Sequence, residues 1–142
     1  MLSYHLDLKN RILVTTWVGE VGDEELIEFY RQIRAHPDFD LNLREIADLR
    51  LADLSKVTPD GLQRLNQLHA QHIANHSKSI KPTRAAIIAS ELLSFGLGRM
   101  YSAKSDEAIE TKVFRDPTEP LEWLELPKDY RIDYVGHPSQ PG

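Results

Sequence analysis

The sequence predicts an α/β domain with a mixed, mostly parallel sheet of about five strands, an N-terminal antiparallel hairpin and four main helices. Two features predict it. Segments rich in β-branched residues alternate with segments whose apolar residues recur at helical spacing, the pattern of strands joined by helical crossovers. In addition, residues 84–89 are apolar on both faces, as a central strand covered from both sides has to be.

Residues 3–8 and 11–18 read as the first two strands. In the second, Ile12, Val14, Thr16 and Val18 alternate with Leu13, Thr15 and Trp17. Only Lys9 and Asn10 separate the two, and Asn tolerates the positive φ of a tight hairpin turn. Gly19 breaks the strand pattern. Asp23, Glu24 and Glu25 after Gly22 open a helix at the positive end of its dipole. Leu26, Phe29, Tyr30 and Ile33 share one face of it, and Pro37 ends it.

Residues 43–49 read as the third strand. Thr58 then caps a helix with Pro59 at its first position, where no donor is lost. That helix is expected to reach about Ser77, with Leu62, Leu65, Leu68 and Ile73 inward. After residues 84–89, Ser90 caps a helix to about Lys104, with Leu93, Leu97 and Met100 inward. Its internal Gly96 and Gly98 each cost ~1 kcal/mol relative to alanine, which close packing or a bend would explain. Residues 111–115 read as the last strand and 117–125 as a short helix around Leu121, Trp123 and Leu124. The domain is placed at residues 1–126 and a tail at 127–142, where Tyr130, Ile132 and Tyr134 alternate with charges and suit an edge strand.

The 142 residues suit one domain, and 41% hydrophobic with 27% charged residues is a globular balance. A net charge of −5 speaks against nucleic acid as a partner. There is no cysteine, which excludes disulfides, thiolate catalysis and Cys-ligated metals. No apolar run approaches the ~18–20 residues that span a bilayer, so no membrane insertion is expected. The N-terminus lacks the pattern of a signal peptide, and a cytoplasmic location is expected.

The ordered set of motifs has a familiar form. Ile46-Ala47-Asp48-Leu49 belongs to the third strand and Arg84-Ala85-Ala86-Ile87-Ile88-Ala89 makes the fourth. Phe95-Gly96-Leu97-Gly98-Arg99-Met100-Tyr101 lies in the following helix, and Val113-Phe114-Arg115-Asp116 leads to Leu121-Glu122-Trp123-Leu124. Over roughly residues 3–125 the chain resembles the bacterial SpoIIAA-like proteins, of the STAS/SEC14-like kind. The resemblance implies a SpoIIAA-like fold. Relatives that antagonise anti-sigma factors carry a phosphorylated serine in an Asp-Ser-Ser-Gly-like segment at the start of the second helix. Here the segment is Asp53-Leu54-Ser55-Lys56-Val57-Thr58-Pro59-Asp60-Gly61, without the paired serines.

Three groups of residues are candidates for function. Asp48, Ser55 and Thr58 lie where α/β folds place ligands or partners, and a helix N-terminus there suits an anion; capping is their structural alternative. Arg99, with Tyr101 near it, suits an anionic ligand or a structural bridge to Asp48, Asp53 or Glu91. His69, His72 and His76 fall within about 60° on one side of the second helix. They are weak metal candidates, because ligands climbing a single helix rarely converge, and the core edge or an interface is the alternative.

No nucleophile elbow, P-loop, dinucleotide loop or zincin motif is present. The expectation is therefore a non-catalytic STAS-like domain, not an enzyme, with no cofactor and no metal, acting as a protein-interaction or regulatory module. The alternative is a carrier of a small apolar ligand or lipid, held beneath the helix at 90–104, as in SEC14-like domains. A homodimer is also expected. Trp17, Phe114, Trp123, Tyr130, Ile132 and Tyr134 exceed what one layer of helices covers, so the tail or a two-fold mate has to cover the second sheet face. The face of His72 and His76 is a rival contact surface.

Overall fold

The computed structural model describes residues 1–40, 42–75, 83–89, 96 and 109–132. Five strands form one sheet: β1 (Leu2–Asp7), β2 (Ile12–Glu20), β3 (Arg44–Asp53), β4 (Thr83–Ile88) and β5 (Ile109–Phe114). Their spatial order is the chain order, with β1 antiparallel to β2 and every later pair parallel. Three helices are present among the described residues: α1 (Asp23–Ala35), α2 (Pro59–Asn75) and α3 (Glu119–Trp123). The fourth expected helix, at 90–104, lies outside the described residues, except that Gly96 is helical.

The hairpin differs from its expected form. Asp7 pairs with Ile12, which leaves a loop of residues 8–11 rather than a two-residue turn. The loop is held by the Asp7 carboxylate, which accepts hydrogen bonds from the backbone N–H and the side-chain amide of Asn10 (3.1 and 2.9 Å). Arg11, not Asn10, takes the positive φ, at 53°. Gly19 does not end β2. It sits inside the strand at φ 70°, a conformation that favours glycine, just past a register shift between Thr16 and Val18.

Residues of β3 are buried on both faces, and the two faces meet two different cores. Leu13 and Trp17 of β2, Ala47 and Leu49 of β3 and Ile87 of β4 face α1 and α2, against Leu26, Tyr30, Ile33, Leu62 and Leu65. Their neighbours Ile12, Val14, Ile46, Ala86 and Ile88 face the other way and join Phe114, Leu121, Leu124, Leu126 and Ile132. The doubly apolar segment at 84–89 therefore reads as it does because β4 is internal, between β3 and β5.

The second core also answers the question of surplus apolar surface. Phe114 and Ile132 are buried in it, Trp123 and Tyr130 pack against it, and Trp17 is buried in the first core. One chain thus covers or packs five of the six large side chains from which a mate was inferred, and the sixth, Tyr134, lies outside the described residues. Residues 130–132 reach the sheet by side-chain contact and are not a strand. Tyr130 donates its hydroxyl hydrogen bond to Asp7 (2.7 Å).

Two arginines fasten this cover. Arg84 donates to the Trp123 carbonyl (2.6 Å) and lies over the Trp123 ring, 5.0 Å from its centroid. Arg44 donates to the carbonyls of Leu124 and Asn10. Cations thereby meet carbonyls at the C-terminal end of α3, where helices leave acceptors unsatisfied. Leu124 is only 1% exposed in the middle of this core. Leu124→Ala should lower stability by about 2–5 kcal/mol in denaturant unfolding, the range for a buried leucine whose site cannot collapse.

Candidate functional site

A cavity of about 520 Å³ opens between α2 and the helix-covered face of the sheet. Its apolar wall includes Trp17, Leu49, Leu54, Leu62, Leu65 and Ile87, and its polar end is formed by Tyr30, Arg34, Glu45 and His69. Each polar residue is there for a positional reason. Glu45 has the same strand parity as Ala47 and Leu49, so its side chain points into the helix-covered layer between Leu13 and Ala85. Tyr30 and Arg34 stand four residues apart on α1 and so share a face. His69 lies one turn beyond Leu65 on the inner side of α2.

The polar groups are joined by hydrogen bonds. Tyr30 donates its hydroxyl to Glu45 Oε2 (2.7 Å), and Thr15 Oγ1 stands 3.5 Å from the same oxygen. Thr15 in turn accepts from the indole N–H of Trp17 (3.2 Å). Arg34 donates to His69 Nδ1, which puts the proton of a neutral imidazole on Nε2. The Tyr30 and His69 rings meet edge to face at 5.3 Å.

Burial sets the protonation of the two titrating groups in opposite senses. Desolvation raises the Glu45 carboxyl above its ordinary 4.5, opposed by the Tyr30 hydrogen bond, the Arg34 charge and Thr15. Desolvation lowers the His69 imidazole well below 6.5, reinforced by Arg34 and His72. In each case the low-dielectric site disfavours the charged form.

The residues expected to form a functional edge have structural partners instead, and no hydrogen bond joins them to one another among the described residues. Asp48 is held bidentately by Arg50, at 2.9 and 2.8 Å, and lies inside β3 rather than at its end, because the strand continues to Asp53. Ser55 is exposed and donates its backbone N–H to Asp53 (3.0 Å). Thr58 caps α2, its hydroxyl oxygen accepting the Gly61 N–H (3.0 Å). It also donates its hydroxyl and its backbone N–H to Asp23 at the start of α1 (2.6 and 2.9 Å). A Cβ at Gly61 would meet the Asp23 carboxylate, so a side chain there would have to displace Asp23 from its hydrogen bonds to Thr58.

Arg99, Tyr101 and His76 lie outside the described residues. His72 packs edge to face on Phe39 (5.9 Å), apart from the Arg34 contact that occupies His69. Among the described residues no three His, Asp or Glu side chains are grouped to hold a metal ion, and no helix is long and apolar enough to cross a membrane.

Sequence reasoning missed Tyr30 as a polar ligand of the site, and it missed Arg34 and Glu45 altogether. The available signal was Glu45 itself, a carboxylate at an inward position of a strand whose next inward residues are Ala47 and Leu49.

The class of protein follows from the element order, the hairpin-led parallel sheet and the helices on it: an α/β domain with a SpoIIAA-like fold. Among solved structures, the chain is similar to an uncharacterised protein from Shewanella loihica PV-4, described as a DUF3478 family member with a SpoIIAA-like fold. The TM-score is 0.54 at 17% identity, over 87% of this chain and 92% of that one. No family model matches the chain, and no curated protein does.

Two measurements check the site and its neighbourhood. His69 is held below its unfolded value near 6.5, so its contribution is fully present above that pH and is lost as pH falls toward the folded value. From pH 7 down to about pH 5, wild type should therefore lose stability relative to His69→Gln, which keeps an acceptor for Arg34 but does not titrate. At the helix joint, Thr58→Ala should cost about 1 kcal/mol in denaturant unfolding through loss of the cap.

Proposed function

We propose that this chain is a non-catalytic, STAS-like binding domain that carries a small, largely apolar ligand in the cavity beneath α2. The observation that supports this over a purely interactive role is the cavity itself. Its volume of about 520 Å³ falls in the range of small-molecule sites, and it combines an apolar wall with a few convergent polar groups. Tyr30, Thr15, Arg34 and His69 are engaged with Glu45 or with one another, an arrangement suited to orienting a ligand rather than to attacking it. The expected helix at 90–104, beneath which a carrier cavity was anticipated, lies outside the described residues.

The test is native mass spectrometry of protein purified from cells. A constant extra mass should accompany wild type and disappear in Ala47→Phe, which fills the cavity from β3 while the fold, followed by circular dichroism, is kept. Repeated preparations without a bound mass, together with no thermal stabilisation by apolar small molecules, would remove the carrier reading.

A second reading keeps the regulatory, protein-binding module and its homodimer. It is favoured by Leu51, which stands 59% exposed near the C-terminal end of β3, four residues before Ser55. Sedimentation of wild type and Leu51→Arg separates the cases. A two-chain mass lost on substitution supports a mate at this edge, and a single-chain mass in both excludes one there.

A further inference from the structure

The two oxygens of Glu45 are used unequally. Oε2 accepts from Tyr30 and stands near the Thr15 hydroxyl, whereas Oε1 takes no hydrogen bond from any described residue. Glu45 lines the cavity, so its carboxylate belongs to the wall on which a ligand would sit. The surrounding charge is nearly balanced. Arg34 is close enough for its charge to act on the Glu45 carboxyl, and its guanidinium donates to a neutral His69.

We propose that the cavity takes an uncharged, apolar molecule bearing a hydroxyl group, and that this hydroxyl hydrogen-bonds Glu45 Oε1. The proposal rests on the carrier reading above and specifies its ligand class. A carboxylate head would stand against Glu45 and an ammonium head against Arg34. Either would leave an uncompensated charge among Trp17, Leu49, Leu65 and Ile87, where charge is costly. A pure hydrocarbon would desolvate Oε1 and give it nothing in return. A hydroxyl both donates and accepts, so it satisfies Oε1 whether or not that oxygen carries a proton. Sites built to bond a hydroxyl discriminate strongly against analogues without one.

Four probes sharing one ring system separate these heads: 2-naphthol, 2-naphthoate, 2-naphthylmethylammonium and naphthalene. Each is titrated into the full chain at pH 7, with affinity read by fluorescence and by thermal shift. The naphthol should bind about tenfold more tightly than either ion and than the hydrocarbon, a difference of about 1.4 kcal/mol. Glu45→Leu should bring naphthol and naphthalene close to equality. Glu45→Gln, which keeps an acceptor and the shape of the side chain, should retain part of the preference and serves if the leucine variant does not fold.

Tightest binding by naphthoate would overturn the proposal in favour of an acid anchored on Arg34. Tightest binding by the ammonium would overturn it in favour of a cation on Glu45. Equal binding of naphthol and naphthalene would remove polar recognition. In each of these cases the carrier reading survives, whereas binding by none of the four would sink both.

Discussion

Because β3 lies between two parallel neighbours in a sheet covered on both faces, consecutive residues in its middle face opposite cores, while Leu51 and Asp53 near its end are exposed. Ile46 serves the face closed by α3, and Ala47 the face closed by α1 and α2. A polar side chain in the covered part of this strand must find a partner within the protein or open a space of its own. Arg44 takes the first course by donating to main-chain carbonyls, and Asp48 does so through Arg50. Glu45 takes both: it gathers Tyr30 and Thr15 around one oxygen and lines the cavity.

Much of the fold was legible in the residues because its strongest signals are local. The alternation in β2, the cap at Thr58 with Pro59 behind it, and the two-faced apolarity of β4 each follow from the immediate neighbours of the residues concerned. The misjudged features depend on contacts beyond the immediate neighbours. The hairpin turn is set by an Asp7 carboxylate that folds back on Asn10, so a pair of residues between two strands was not enough to define it. β3 runs to Asp53 because β2 continues through Gly19 to pair with it, and a glycine with positive φ reads from sequence as an interruption.

The candidate site was less legible for the same reason. Asp48 and Thr58 drew attention by position and chemistry, yet their partners Arg50 and Asp23 absorb them into the framework. His69 was found, although through a histidine pattern whose expected consequence was the core edge or an interface, with metal as the weak alternative. Its observed neighbours are Arg34 and Tyr30 from α1, and a pattern confined to α2 cannot show them. Glu45 was passed over because charge in a strand weakens the strand assignment, when inward parity and charge together are what mark a polar group built into an apolar layer.

The hydrogen bond from Tyr130 to Asp7 joins residues 123 positions apart, and Leu126 and Ile132 lie in the same late-made core as Ile12 and Val14. This has a consequence for synthesis on the ribosome. The layer formed by α1 and α2 draws on β1 to β4 and is complete in its buried members by Ala89, so it is able to assemble before α3 is made. Among the described residues, the opposite face of the sheet gains its cover only from α3 and residues 124–132, and until these leave the exit tunnel its strands present Ile12, Val14, Ile46 and Ala86. Translation arrest or truncation before α3 would thus leave a half-clad sheet, a species with the apolar surface that chaperones bind and aggregates grow from.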